Sequence, residues 1–376
     1  MKRITVVILV LCTSFVPVAW GQQTTWAQFH RYNMRRYNPY EKTIGVDNVG
    51  SLKLKWSVAI GSSISSPAVA GGVVFTANSN GVVWAVKTND GSVLWHRQTA
   101  SGGDNQNSPA VANGVVYFSS IDGVLYALKA RNGAKLWSYQ NGAPMNSPPT
   151  VINGVVYVGS DDGNLYALNA SIGVALWSYT TGGRVTCSPA VENGTVYFDS
   201  DDGNVYALNA STGALLWSYF VGGNYTAWSA SPAVANGIVY IGAGDTNNVY
   251  ALDASTGAYI WSQNIGGGYI PTSSPAVAYG AVYIGSGDGG LYALNAKTGA
   301  ILWTYPTYNI VEASPAVANG VVYAGTNNWY FFAVDAKTGT GLWTYGVSYS
   351  AAGSPTIVNG RLYFVDATSL FALGLE

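Results

Sequence analysis

The eleven residues from Ala207 to Trp217, ALNASTGALLW, constrain the fold of this chain more than any other stretch. They recur with small changes as AVKTNDGSVLW (85–95), ALKARNGAKLW (127–137), ALNASIGVALW (167–177), ALDASTGAYIW (251–261), ALNAKTGAILW (293–303) and AVDAKTGTGLW (333–343). Seven copies in 376 residues mean one structural unit repeated, not two or three unrelated domains. Such units bury their apolar faces by stacking on one another, so the period reports the architecture.

Residues 188–217 give the unit in full. SPAVE (Ser188 to Glu192), TVYFDS (Thr195 to Ser200), VYALNA (Val205 to Ala210) and ALLWSY (Ala214 to Tyr219) are four short strand candidates. Between them stand Asn193-Gly194, Asp201-Asp202-Gly203-Asn204 and Ser211-Thr212-Gly213. Asn-Gly and Asp-Gly supply the positive φ angles that tight hairpins require. Each unit is therefore a four-stranded antiparallel meander. A Ser-Pro pair opens the unit eight times, at Pro67, Pro109, Pro148, Pro189, Pro232, Pro275, Pro315 and Pro355. Proline is tolerated where a strand begins, because that residue need not donate to the ladder.

A tryptophan marks the fourth strand eight times as well: Trp56, Trp95, Trp137, Trp177, Trp217, Trp261, Trp303 and Trp343, spaced 39 to 44 residues apart. Four strands with a period near forty specify a β-propeller. The two counts are out of phase. Trp56 precedes the first Ser-Pro, and after the last one only three strand candidates follow. The expected solution is an all-β, eight-bladed propeller in which Leu52 to Ala59 pairs with the strand near Leu370 to Leu373 and closes the ring. The tryptophans are expected to lie buried between neighbouring blades as a girdle, with the Gly of each Thr-Gly turn admitting close backbone approach.

The organisation expected from this is a signal peptide over 1–21, a lead-in over 22–51 and the propeller over 52–376. Lys2 and Arg3, the apolar run Ile4 to Val18 and the small-x-small site Ala19-Trp20-Gly21 have the build of a secretory signal. The protein is thus expected to be exported, periplasmic or extracellular. Leu11 before Cys12 is a poor fit to a lipidation signal, and no other run reaches the length of a membrane span. Beyond the signal, Cys187 is the one cysteine, so an internal disulfide or a Cys-rich metal site is excluded.

Charge narrows the partners. Gln22 to Lys55 carries six Lys/Arg and two Asp/Glu, whereas Trp56 to the end carries nine against sixteen. A net-acidic body has no basic face to neutralise phosphates, so nucleic acid is an unsuitable partner. The basic lead-in is expected to pack on the acidic body.

The motif AxDxxTGxxxW, preceded by SPAVxNGxVYxGSxDGxLY, resembles the PQQ-type β-propeller repeat of the pyrroloquinoline quinone dehydrogenases and of BamB, the propeller of bacterial outer-membrane assembly. The resemblance covers roughly residues 26–373, and the lead-in from Thr24 to Trp56 is similar to the segment before the first blade of the quinoprotein dehydrogenases. It implies either a binding or assembly scaffold or a quinone-dependent dehydrogenase. The enzymes of the family are longer and roof their cofactor with insertions, and many hold an adjacent Cys-Cys pair against the quinone. This chain has neither, and no clear match for their calcium-holding Glu, Asn and Asp. No cofactor or metal and no catalytic residue is therefore expected. PQQ with calcium belongs to the alternative reading only. Asp122, Asp162, Asp202 and Asp288 sit in hairpin turns, where Asp-Gly has a structural reason.

Function is sought where the repeat is broken. The loops joining one unit to the next hold a polar and aromatic mix. Its candidate ligand- or partner-binding residues are Asp104, Asn107, Arg184, Trp228, Tyr269 and Glu312. The expectation is a monomeric scaffold that binds a protein or an extracellular ligand, a saccharide or surface among them.

Overall fold

The computed structural model describes residues 25–31, 34–62, 65–99, 107–222, 230–243, 246–266, 273–351 and 353–376. Eight sheets, each with a four-stranded antiparallel meander, form the ring. In blade 4 the strands are Ala190–Glu192, Thr195–Asp199, Asn204–Asn209 and Leu215–Phe220. Its first turn holds Asn193 at φ 51° and Gly194 at φ 78°, and the pairs Asn113-Gly114 and Asn153-Gly154 repeat those angles. Two successive positive φ values make the hairpin turn whose twist matches the flanking strands. Burial grades outward. The second strand of blade 4 is almost wholly buried, while the fourth alternates exposed and partly buried residues. The core thus comes from the inner three strands of adjacent blades packing face to face.

The ring closes as the phase of the repeats requires. Lys53–Ala59 pairs antiparallel with Ser369–Gly374, with Trp56 opposite Ala372 and Val58 opposite Leu370. Blade 8 is thereby built from both ends of the propeller.

Seven of the eight tryptophans clasp the next blade in one manner. The Trp177 indole N–H donates to the Ala210 carbonyl (3.1 Å), and the Tyr157 hydroxyl of the same blade donates to that carbonyl too (3.1 Å). Gly213, at φ 72°, lies flat against the Trp177 ring, where a Cβ would come within 2.8 Å. The same Trp–Gly contact recurs from Trp56 on Gly91 through Trp303 on Gly339. Two features differ from expectation. Only Trp56, Trp217 and Trp261 are buried and the other five are half-buried, because the fourth strand is the outermost. Trp343 stacks on Tyr345 (5.8 Å) instead, since blade 8, assembled from two ends, has no Thr-Gly turn to offer.

The Ser-Pro pair forms a second, inner set of clasps. The backbone N–H of Ser188 donates to the Ser231 hydroxyl (2.9 Å), Ser231 to Ser274 (2.8 Å), Ser274 to Ser314 (2.8 Å) and Ser314 to Ser354 (2.9 Å). The serine thus matters as much as the proline beside it.

The lead-in does not lie on the acidic outer surface. It runs once around the bore and meets the innermost strand of each blade in order. Trp26 exchanges two backbone hydrogen bonds with Val69 of blade 1, and the Val111 N–H of blade 2 donates to the Ala27 carbonyl. In blade 3 the Val151 N–H donates to the Gln28 side-chain oxygen, and in blade 4 His30 meets the Ser188 carbonyl. The N–H groups of Val234, Val277 and Val317 donate to the carbonyls of Met34, Arg35 and Arg36, and the Asn38 amide donates to Ile357 of blade 8. An innermost strand is an edge strand, and its unpaired buried N–H groups would each cost free energy. The lead-in satisfies one such N–H in each of blades 1, 2, 3, 5, 6 and 7, and meets a carbonyl in blades 4 and 8. Its Arg36 is met by dipoles rather than by acids. Arg36, fully buried, donates to the carbonyls of Phe29, Ser314, Pro315 and Pro355, and burial lowers its pKa to about 9. Arg35 makes an ion pair with Glu192 at 3.6 Å.

Two predictions follow from this packing. Trp217→Ala removes a buried ring and its hydrogen bond, and is expected to cost about 3–5 kcal/mol in urea unfolding; Trp343→Ala, which leaves no inter-blade clasp broken, should cost clearly less. His30 is fully buried, its Nε2 against the Ser188 carbonyl (3.1 Å), and desolvation lowers its pKa to about 3. The unfolded chain takes up this proton below pH about 6.5 while the folded one refuses it, so stability present above that pH declines as pH falls toward 3. Measured between pH 7 and 4, the melting temperature of His30→Gln should fall less steeply than that of the native protein.

Candidate functional site

The loops between blades and the turns between second and third strands share one face of the ring. Several of the described inter-blade loops are bonded to the turns of the blades they join. The loop from blade 3 to blade 4 shows this: Val185 N–H donates to Ser160 of blade 3 (3.0 Å), and Asp201 N–H of blade 4 donates back to Arg184 (2.9 Å). The loops from blade 6 to 7 and from blade 7 to 8 follow the same rule through Asn327 N–H to Ile310 (3.1 Å) and Ala351 N–H to Thr326 (3.1 Å). A face braced in this way is a rigid platform whose variable side chains sit at fixed positions.

The acidic turns are internally committed. In blade 4 the Asp202 carboxylate accepts from the Asn204 N–H (3.0 Å), the Tyr206 hydroxyl (2.7 Å) and the Gly182 N–H (2.8 Å). Burial pushes its pKa up, but these donors outweigh that and hold it below the usual carboxylate range. Asp162 with Tyr166 and Asp122 with Tyr126 repeat the arrangement. Asp161 differs: burial raises its pKa, and the Asn146 amide donates to it at 2.9 Å.

The expected site residues fall on separate seams. Asn107, between blades 1 and 2, is buried, and its amide donates to the Ser119 (3.0 Å) and Met145 (2.7 Å) carbonyls. Arg184, between blades 3 and 4, is partly exposed and forms an ion pair with Asp201 at 2.6 Å. Glu312, between blades 6 and 7, is partly buried. Asp104, Trp228 and Tyr269 lie outside the described residues. Asn107, Arg184 and Glu312 therefore do not converge, and the geometry of Asn107 is that of a structural clasp. Cys187 occupies the equivalent position in the next but one loop. Its sulfur accepts from the Asp199 N–H (3.4 Å), and burial raises its pKa well above the usual thiol value.

One residue of this face, Trp329 in a hairpin turn, was not singled out from the sequence. Tyr308 and Trp329 are 88% and 61% exposed, and both stand at positive φ, 57° and 61°. Other blades place glycine there: Gly142, Gly222 and Gly266 match Tyr308, and Gly123, Gly163, Gly203 and Gly289 match Trp329. A bulky residue in the left-handed region costs roughly 1–2 kcal/mol. The signal was present in the sequence as NNWYF where other units read DDGNV or GDGGL. It went unused because the hairpin turns look uniform beside the inter-blade loops.

A quinone with calcium fits these residues poorly. Calcium takes six or more oxygen ligands including several carboxylates, yet the turn carboxylates are occupied by their own tyrosines and backbone N–H groups. Among the described residues no three His, Cys, Asp or Glu come together to hold a metal ion. Arg184, a cation on this face, is already engaged by Asp201. Asn107→Ala, which orphans two buried carbonyls, is expected to lower stability by about 1–3 kcal/mol. Arg184→Ala, breaking a partly exposed pair, should change it by less than about 1 kcal/mol in the same chemical-denaturation assay.

Known proteins share this build. The family model described as outer membrane protein assembly factor BamB matches residues 50–108, 101–243, 223–311 and 307–373. Among solved structures, quinohemoprotein alcohol dehydrogenase from Comamonas testosteroni superposes with a TM-score of 0.80 at 15% identity, covering 96% of this chain and 82% of the enzyme. BamB from Moraxella catarrhalis gives 0.73 at 22% identity, covering 86% of this chain and 98% of that one. A europium-containing methanol dehydrogenase gives 0.81 at 14% identity, covering 95% and 99%. No curated protein matches the chain. At these identities the structural likenesses speak for the fold alone. No helix among the described residues is long and apolar enough to cross a membrane.

Proposed function

This chain belongs to the BamB family of PQQ-type propellers, and from that premise we propose that it is an exported, non-enzymatic scaffold that binds a protein partner through its loop face. The observation that carries this reading is the chemistry of that face. Asp122, Asp162 and Asp202 in its turns accept from their own tyrosines and from backbone or amide donors, so they brace loops instead of awaiting a metal-bound cofactor. What remains variable is a set of loops on a rigid ring, the arrangement in which binding residues are expected. Export rests on the signal-like residues 1–21, and action as a monomer on the closure of the ring within one chain. Arg184 and Glu312 are the charged residues proposed to contact the partner, at seams three blades apart.

The test has two arms on the purified full-length protein. Titration with pyrroloquinoline quinone and calcium should give neither saturable quinone absorbance nor dye-linked alcohol oxidation; a clear signal in both would replace the scaffold with a dehydrogenase. Affinity capture from the native envelope fraction should retain a defined protein, and Arg184→Glu with Glu312→Lys should reduce its recovery at least tenfold with unfolding unchanged. Equal recovery would remove these two residues from the interface.

A further inference from the structure

We propose that the loop face where blades 6, 7 and 8 meet carries a binding site for an uncharged saccharide, built on Tyr308, Trp329 and Tyr349. This goes beyond the scaffold reading and does not depend on it. The three rings are 88%, 61% and 51% exposed. They stand on three segments bonded to one another. The Val347 N–H donates to the Trp329 carbonyl (2.8 Å), the Asn327 N–H donates to the Ile310 carbonyl (3.1 Å), and the Tyr330 hydroxyl donates to the Thr307 carbonyl (2.6 Å). The segments that carry the rings are therefore neighbours on a braced surface.

Backbone strain gives the second observation. Tyr308 and Trp329 both occupy left-handed positions that most other blades fill with glycine. Their rings are too exposed to recover that strain by packing. Strained residues that gain nothing in the fold concentrate at functional sites. Here two glycine positions on adjacent loops have both been given over to exposed aromatics.

The surroundings select the ligand. No Lys or Arg lies between Lys297 and Lys337 or between Lys337 and Arg361, so these loops offer no cation to an anionic ligand. Beside the rings the exposed described residues of the three segments are Asn328 and Ser348, an amide and a hydroxyl. No exposed aliphatic side chain accompanies them among the described residues of these segments, whereas a protein anchor needs a desolvated pocket around it. A pyranose matches: its C–H face lies on an aromatic ring, and its hydroxyls exchange hydrogen bonds with amide and hydroxyl groups.

The experiment uses the intact protein and neutral hexasaccharides of β-1,4-glucose, α-1,4-glucose, β-1,4-xylose, β-1,4-mannose and β-1,4-N-acetylglucosamine, read by tryptophan fluorescence and calorimetry. At least one should bind saturably. Trp329→Gly and Tyr308→Gly should each weaken it at least tenfold while holding or raising the melting temperature, because glycine is the residue the backbone prefers there. That opposition separates loss of a site from loss of folding. Binding of none of the five sugars, or binding within twofold of native in the combined Trp329→Gly, Tyr308→Gly, Tyr349→Ala variant, would overturn the proposal. So would loss of a captured protein in these variants without any saccharide binding.

Discussion

The ring depends on one small group repeated around it: the carbonyl just past the third strand, an alanine in blades 2 to 7. At Ala170, Ala210, Ala254, Ala296 and Ala336 this oxygen accepts both an indole N–H and a tyrosine hydroxyl from the preceding blade. A carbonyl has two lone pairs, and both are used across the blade seam. The adjacent glycine, bare of a Cβ, lets the indole lie against backbone. Sequence, turn geometry and inter-blade packing are thus joined within eleven residues, which explains why that stretch varies so little from copy to copy.

Such a seam joins neighbours only, and neighbours alone do not decide where a ring stops. The lead-in adds the long-range term. It meets blades 1 to 8 in succession, pairing with inner-strand N–H groups in six of them and with carbonyls in blades 4 and 8. Glu41 then accepts from the Gly360 N–H in the first turn of blade 8, just before the chain supplies that blade's outer strand. The same segment therefore fills the bore and closes the circle. With the interior taken up by the chain itself, the surface left for recognition is the braced loop face.

Most of the architecture was legible in the sequence because it rests on local rules. Asn-Gly turns, strand alternation and the tryptophan period each report on a few consecutive residues, and counting them against Ser-Pro revealed the closure at Trp56. The course of the lead-in was not legible. Most of its partners are backbone groups more than a hundred residues away, as from Gln28 to Val151, and a carbonyl leaves no mark in a sequence. Net charge pointed Arg36 toward acids, whereas it found four carbonyls. The site was read only in part. Asn107 looked like a variable loop residue, but its amide bridges two buried carbonyls. Trp329 was hidden in a turn taken to be uniform, and only the φ angle reveals what its presence costs.

Hydrogen exchange at the inner strands bears most directly on this account of a ring sealed by its own lead-in. The amides of Val69, Val111, Val234, Val277 and Val317 donate to the lead-in. They should rank among the slowest in the protein, exchanging together only when the ring opens. Rapid, independent exchange of these five amides, at rates like those of the exposed Thr-Gly turns, would show that the lead-in does not occupy the bore and would contradict the account.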